Sequence, residues 1–149
     1  MSIEKIDLYL DEIKNKLLKA IARLESSIQR LPSIKNSIDD FTDEELGLYE
    51  EFMSRFGRLS DIFLSQYIRT QVKKSDPAFR GSFKDFLDQA EKLSYIDSSE
   101  EWYKIRELRN RQAHEYEDKD LIGLFKDTLN QVDRLRLISK LLTNAPKTK

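Results

Sequence analysis

Nine apolar residues, Ile3, Ile6, Leu10, Ile13, Leu17, Ile21, Leu24, Ile28 and Leu31, recur at spacings of three and four along the start of the chain. That spacing gathers side chains on one side of an α-helix and on neither side of a strand. The stripe runs for about eight turns. Pro32, with no amide to donate and a ring that crowds the preceding turn, closes it. A helix of that length with one apolar side has to bury that side against other helices. A coiled coil is one solution. Later segments carry enough apolar faces for the partners to come from the same chain, so an intramolecular bundle is expected.

Those faces follow in order. Thr42 and Glu45 form a capping box that opens a second helix. Its Leu46, Tyr49, Phe52, Met53, Phe56, Leu59, Ile62, Phe63 and Tyr67 make a broad aromatic face, and Gly57 in its middle marks a close helix approach. The pattern fades at Lys73 and Lys74, before Ser75-Asp76-Pro77. A third helix is predicted from Ser82 to Leu93, with Phe83, Phe86, Leu87 and Ala90 inward. Ser98 and Glu101 form a second capping box ahead of a fourth helix. A last helix starts near Asp118 or Lys119 and carries Leu121, Ile122, Leu124, Phe125, Leu129, Val132, Leu135, Ile138 and Leu142. Residues 143–149, with Pro146, read as a frayed tail. No strand-like alternation, repeat or low-complexity tract appears. The prediction is an all-α antiparallel bundle of about five helices, with 1–149 as one domain.

Composition narrows the function. The chain has no cysteine, which excludes disulfides and thiolate metal sites and fits a reducing cytoplasm. The charged first residues contain no apolar leader segment, and no apolar run nears the roughly 18 residues of a membrane span. A cytoplasmic protein without a membrane partner is expected. Charged residues make up 36%, yet the net charge is only -1. That balance argues against a strongly basic, non-specific nucleic-acid binder and leaves room for a local basic patch.

Residues 109–116 read Arg-Asn-Arg-Gln-Ala-His-Glu-Tyr and contain the only histidine, His114. At about 100° per residue, Ile105 and Leu108 face the core, and Arg106, Asn110 and His114 form a row on another face, flanked by Arg109 and Tyr103. Imidazole carries protons near neutral pH, and guanidinium holds phosphate. Metal-free RNA cleavage needs a base for the 2′-hydroxyl, an acid for the leaving 5′-oxygen and a cation for the charge that builds on phosphorus. His114 can be base or acid. Arg109 or Arg106 can hold the phosphate. Asn110 can donate to a phosphate oxygen or orient His114. One histidine per chain is too few for an acid–base pair, and a two-fold homodimer supplies the second. The competing reading is a solvated charged face, in which Lys104, Arg106, Arg109 and Arg111 pair with Glu100, Glu101, Glu107 and Glu115 at helical spacings. No metal-ligand set and no Gly-rich phosphate loop is visible, so no metal or cofactor is expected.

The residues Arg109-Asn110-x-x-x-His114 resemble the Arg-x4–6-His motif of the HEPN superfamily, and the continuation to Tyr116 resembles the Arg-x4-His-x-Tyr form of HepT-type toxins. The resemblance covers the whole chain as architecture and only these eight residues as close identity. It implies a metal-independent endoribonuclease toxin of a type II or type VII toxin–antitoxin system, acting on mRNA or tRNA. Arg109 and His114 would be the catalytic pair, with Asn110 and Arg106 in support, in a cleft shared by two chains. It implies a minimal nucleotidyltransferase as antitoxin, able to transfer AMP to Tyr116. Some members are instead non-catalytic substrate-binding partners of nucleotidyltransferases, which is the alternative function.

Overall fold

In the computed structural model, residues 2–114 and 118–143 are described. Helix α1 (Ile3–Gln29) starts at Ser2, whose hydroxyl accepts the Lys5 amide. Its stripe turns inward at Leu10, Ile13, Leu17 and Leu24, with Ala20 and Ser27 filling the gaps between them. Ile6, Ile21, Ile28 and Leu31 pack at the rim of the core, while Ile3 stays 68% exposed. The first member of the stripe thus lies beyond the end of the layer it was expected to cover.

A single 3-10 turn (Ile38–Asp40) leads to α2 (Asp43–Asp61). Both halves of the Thr42–Glu45 capping box form. The helix does not stop at Asp61. It passes through a π-helical stretch (Ile62–Ile68) into α3 (Arg69–Ser75), so residues 43–75 make one rod. Helix α4 (Phe83–Lys92) opens on a capping box that the sequence had not revealed, Ser82 with Asp85. Helix α5 (Ser99–Gln112) has only half of its expected box. Ser98 accepts the Glu101 amide, but the Glu101 carboxylate turns outward to Lys104 at 2.9 Å. Helices α6 (Asp118–Asn130) and α7 (Val132–Thr143) follow one another across Gln131 as a fifth rod. The described residues contain no strand, and the all-α bundle of five helical rods is as expected. Of the predicted tail, residues 144–149 lie outside the described residues.

α1 packs along α2 and α3, α7 packs on α1 and α2, and α5 lies between α2, α4 and α6. One hydrophobic cluster draws on all of them. Its centre is aromatic. Tyr49 stacks on Phe125 with ring centroids 4.7 Å apart, and Phe63 meets Trp102 at 4.9 Å. The polar ends of these side chains are satisfied, which burial demands. The Tyr49 hydroxyl donates to the Pro32 carbonyl at 2.7 Å, pinning α2 to the end of α1. Trp102 Nε1 donates to Asp97 at 2.9 Å, and Arg134 of α7 donates to the other oxygen of that carboxylate. Burial pushes the Asp97 carboxyl up, but those two donors outweigh it and hold the group below its ordinary range.

Candidate functional site

Trp102, Ile105 and Leu108 fix the rotation of α5 by filling the core. The positions beside them on the helix surface, Arg106 and Arg109, therefore fall at the seam between α5 and the rod of residues 43–75. What they meet there is set by residues four apart on the rod. Gly57 has no side chain, and a Cβ at that position would stand 2.8 Å from both Cδ and Nε of Arg109. Arg109 therefore lies across bare backbone. One turn further, Asp61 accepts Arg109 Nε at 3.1 Å. One turn beyond that, Ser65 accepts Arg106 Nη1 at 2.9 Å. The Arg106 guanidinium also lies over the Phe83 ring, 4.3 Å from its centroid.

These side chains line an open cleft of about 380 Å³, whose walls are completed by Gln66, Asn110 and Ala113. Two guanidinium groups share it with one carboxylate, so its balance is positive in a chain of net charge -1. Asp61 engages only the Nε edge of Arg109. Among the described residues the two terminal nitrogens of Arg109 take no partner. A planar fork held by one edge and open at the other suits bidentate capture of a phosphate. The Oε1 of Gln66 is buried without a donor among the described residues.

The sequence-predicted residues are thus partly assembled. Arg106, Arg109 and Asn110 share the cleft. His114 is exposed and lies past the helix. Helix α5 ends at Gln112, Ala113 is its C-cap, and the His114 amide donates to the Arg111 carbonyl at 3.2 Å in a closing turn. The expected row of Arg106, Asn110 and His114 on one helix face is therefore cut before its last member. His114 still follows directly on Ala113, at the cleft wall. Tyr116 lies outside the described residues.

Among the described residues the solvated-face reading holds at the Lys104–Glu101 pair. Arg106 and Arg109 instead reach across to the rod, and Arg111 reaches Asp127 of α6 at 2.8 Å. Sequence reasoning missed Asp61, Ser65 and Gln66. Their one visible signal was Gly57, with an acid four residues and a serine eight residues further on.

Among the described residues no three His, Cys, Asp or Glu side chains converge as a metal site, and no helix is long and apolar enough to cross a membrane. No family model matches the chain, and no curated protein or solved structure matches it.

Proposed function

We propose that the seam of α5 with the rod is the phosphate-binding half of an endoribonuclease site, and that the chain is a metal-independent RNase toxin neutralised by a nucleotidyltransferase antitoxin. The observation that carries this reading is the seating of Arg109. Gly57 makes room for it, Asp61 holds its Nε edge, and its terminal nitrogens are left to the cleft beside Arg106 and Asn110. In this reading the Arg109 fork takes two phosphate oxygens. An imidazole removes the 2′-hydroxyl proton, the 2′-oxygen attacks phosphorus, and the 5′-oxygen leaves with a proton from a second imidazole. Each chain has one imidazole, so the second comes from a second copy, and the working unit is a homodimer joined beside α5. Purified protein is expected to run as a dimer in light scattering and to cleave single-stranded RNA in the presence of EDTA. A stable monomer that cleaves, or activity lost to EDTA and restored by Mg²⁺, rejects this mechanism.

Tyr116, two residues beyond His114, is the position a nucleotidyltransferase would modify. AMP attached there adds an anionic phosphodiester that competes for Arg109 and bulk that covers the cleft. Incubation with a cognate enzyme and ATP should add one AMP mass to the wild type and none to Tyr116→Phe. Neutralisation of the wild type at unchanged mass would point to steric blocking instead.

One observation favours the second reading, a non-catalytic partner of a nucleotidyltransferase. Arg109 is already matched by Asp61, and Arg106 by Ser65 and Phe83, as in contacts that merely tie two helices together.

A further inference from the structure

The rod of residues 43–75 has an unusual outer surface where the π-helical stretch begins. Ile62, Phe63, Leu64, Tyr67, Ile68 and Val72 are buried. Asp61, Ser65, Arg69 and Lys73 stay accessible, with Gln66 and Thr70 beside them. In an α-helix a row of residues four apart drifts round the axis by about 40° at each step. A π turn closes on the fifth residue instead of the fourth, so residues four apart are pulled back into line. Asp61, Ser65, Arg69 and Lys73 therefore form a nearly straight row along the rod.

The row begins in the Arg106–Arg109 cleft and ends in a second recess. That recess, of about 290 Å³, lies between α1 and α3 and is lined by Ile6, Tyr9, Arg69, Thr70 and Lys73. Tyr9 is 38% exposed there. The cations along the row are held in place by rings of α4. The Arg69 guanidinium lies 4.6 Å from the Phe86 centroid, as Arg106 lies on Phe83. Lys73 Nζ is 6.0 Å from the same Phe86 ring and donates to the Phe79 carbonyl at 2.8 Å. Among the described residues none of Arg69, Lys73 and Arg106 makes an ion pair with a carboxylate. Lys74, at the far end, is paired with Asp7 and is not part of the track.

We infer that this row is a track for single-stranded RNA, leading from the Arg106–Arg109 cleft to a base-stacking recess at Tyr9. The inference rests on the phosphodiester reading of that cleft and extends it. Arg69 and Lys73 on the row, with Arg106 and Arg109 of α5 at its cleft end, offer positive charge at both ends of a phosphate backbone, and a half-exposed ring in an apolar recess matches a base face. An acidic protein segment would be served by the cations, and the flat ring beside them favours a strand that carries bases.

The test measures anisotropy of fluorescein-labelled 2′-O-methyl oligouridylates, which lack the attacking hydroxyl, at lengths of about three and about nine nucleotides. The wild type should bind the longer strand at least tenfold more tightly. Arg69→Gln with Lys73→Gln should remove most of that gain and lower the salt slope by about 1.4, for two lost single-strand phosphate contacts. Tyr9→Ala should weaken the long strand by about tenfold, with the salt slope unchanged. Affinity for the short strand should stay put in all three proteins. Equal loss for both lengths, or no loss for either, overturns the track. Tighter binding of a poly-glutamate peptide than of the long strand also overturns it and turns the row into a protein contact. Wild type that grips the long strand through this row yet leaves ordinary RNA uncut keeps the track and sinks the nuclease. Efficient cleavage that ignores both the length of the RNA and the Arg69, Lys73 pair does the reverse.

Discussion

His114→Ala should lower the rate of RNA cleavage by about a hundred- to ten-thousandfold, the usual loss when a positioned acid or base is removed. Arg109→Ala should cost about a hundred- to thousandfold, the range for one lost donor to a developing oxyanion. Neither change should unfold the chain. His114 is exposed and beyond the last turn of α5, so its side chain supports no packing in the core. Surface changes of that kind stay within about 0.5 kcal/mol. Arg109 gives up its pair with Asp61, whose members are 32% and 42% exposed, and such pairs contribute at most about 1 kcal/mol. Arg109→Lys is the sharper probe. It keeps the charge and loses the fork, so it should bind RNA with nearly wild-type salt dependence and still cleave poorly. Cleavage rates and thermal melts on the same three preparations decide the matter. Wild-type rates in His114→Ala and Arg109→Ala would end the nuclease reading. A large fall in melting temperature in Arg109→Ala would recast that residue as a helix tie.

The elements that were legible in the sequence are those where a period repeats for many turns. The α1 stripe names its own buried residues, because Leu10, Ile13, Leu17 and Leu24 can share a face in no other conformation. Capping announced α2 through Thr42 and Glu45. The π-helical stretch was not legible. Ile62, Phe63, Leu64, Tyr67, Ile68 and Val72 are buried with a period longer than 3.6, and a window matched to an ordinary helix absorbs them without complaint. The α5 side of the site could be read because Arg106, Arg109 and Asn110 are close in sequence and chemically loud. The facing side could not. Asp61 and Arg109 are 48 positions apart, and Asp61 and Ser65 are ordinary polar residues until the fold sets two arginines against them. Where α5 ends was also hidden. Ala113 is a good helix former, yet the helix closes there in a turn that places His114 outside it.

Gly57→Ala should separate stability from function in the opposite sense to most core changes. Gly57 is buried in the interior of α2, and no glycine described has a positive φ, so alanine fits the backbone there. In a helix interior that exchange favours the fold by up to about 1 kcal/mol. The added Cβ would stand 2.8 Å from Cδ and Nε of Arg109 and 3.2 Å from its Cζ, and its nearest neighbours are thus atoms of one side chain. None of these closest atoms belongs to backbone. The far end of one long side chain has to move, and it takes with it the Nε bond to Asp61. The melting temperature should therefore hold or rise by a few degrees, while cleavage falls at least tenfold because the fork no longer points where the phosphate sits. Asp61→Asn should be milder, since the amide oxygen can still accept from Nε and the glycine seat is intact. A Gly57→Ala protein that is both stable and fully active would mean that the seat of Arg109 has no part in catalysis. One that is destabilised would mean that the guanidinium cannot swing aside, and that the seam is a packed joint between two helices before it is anything else.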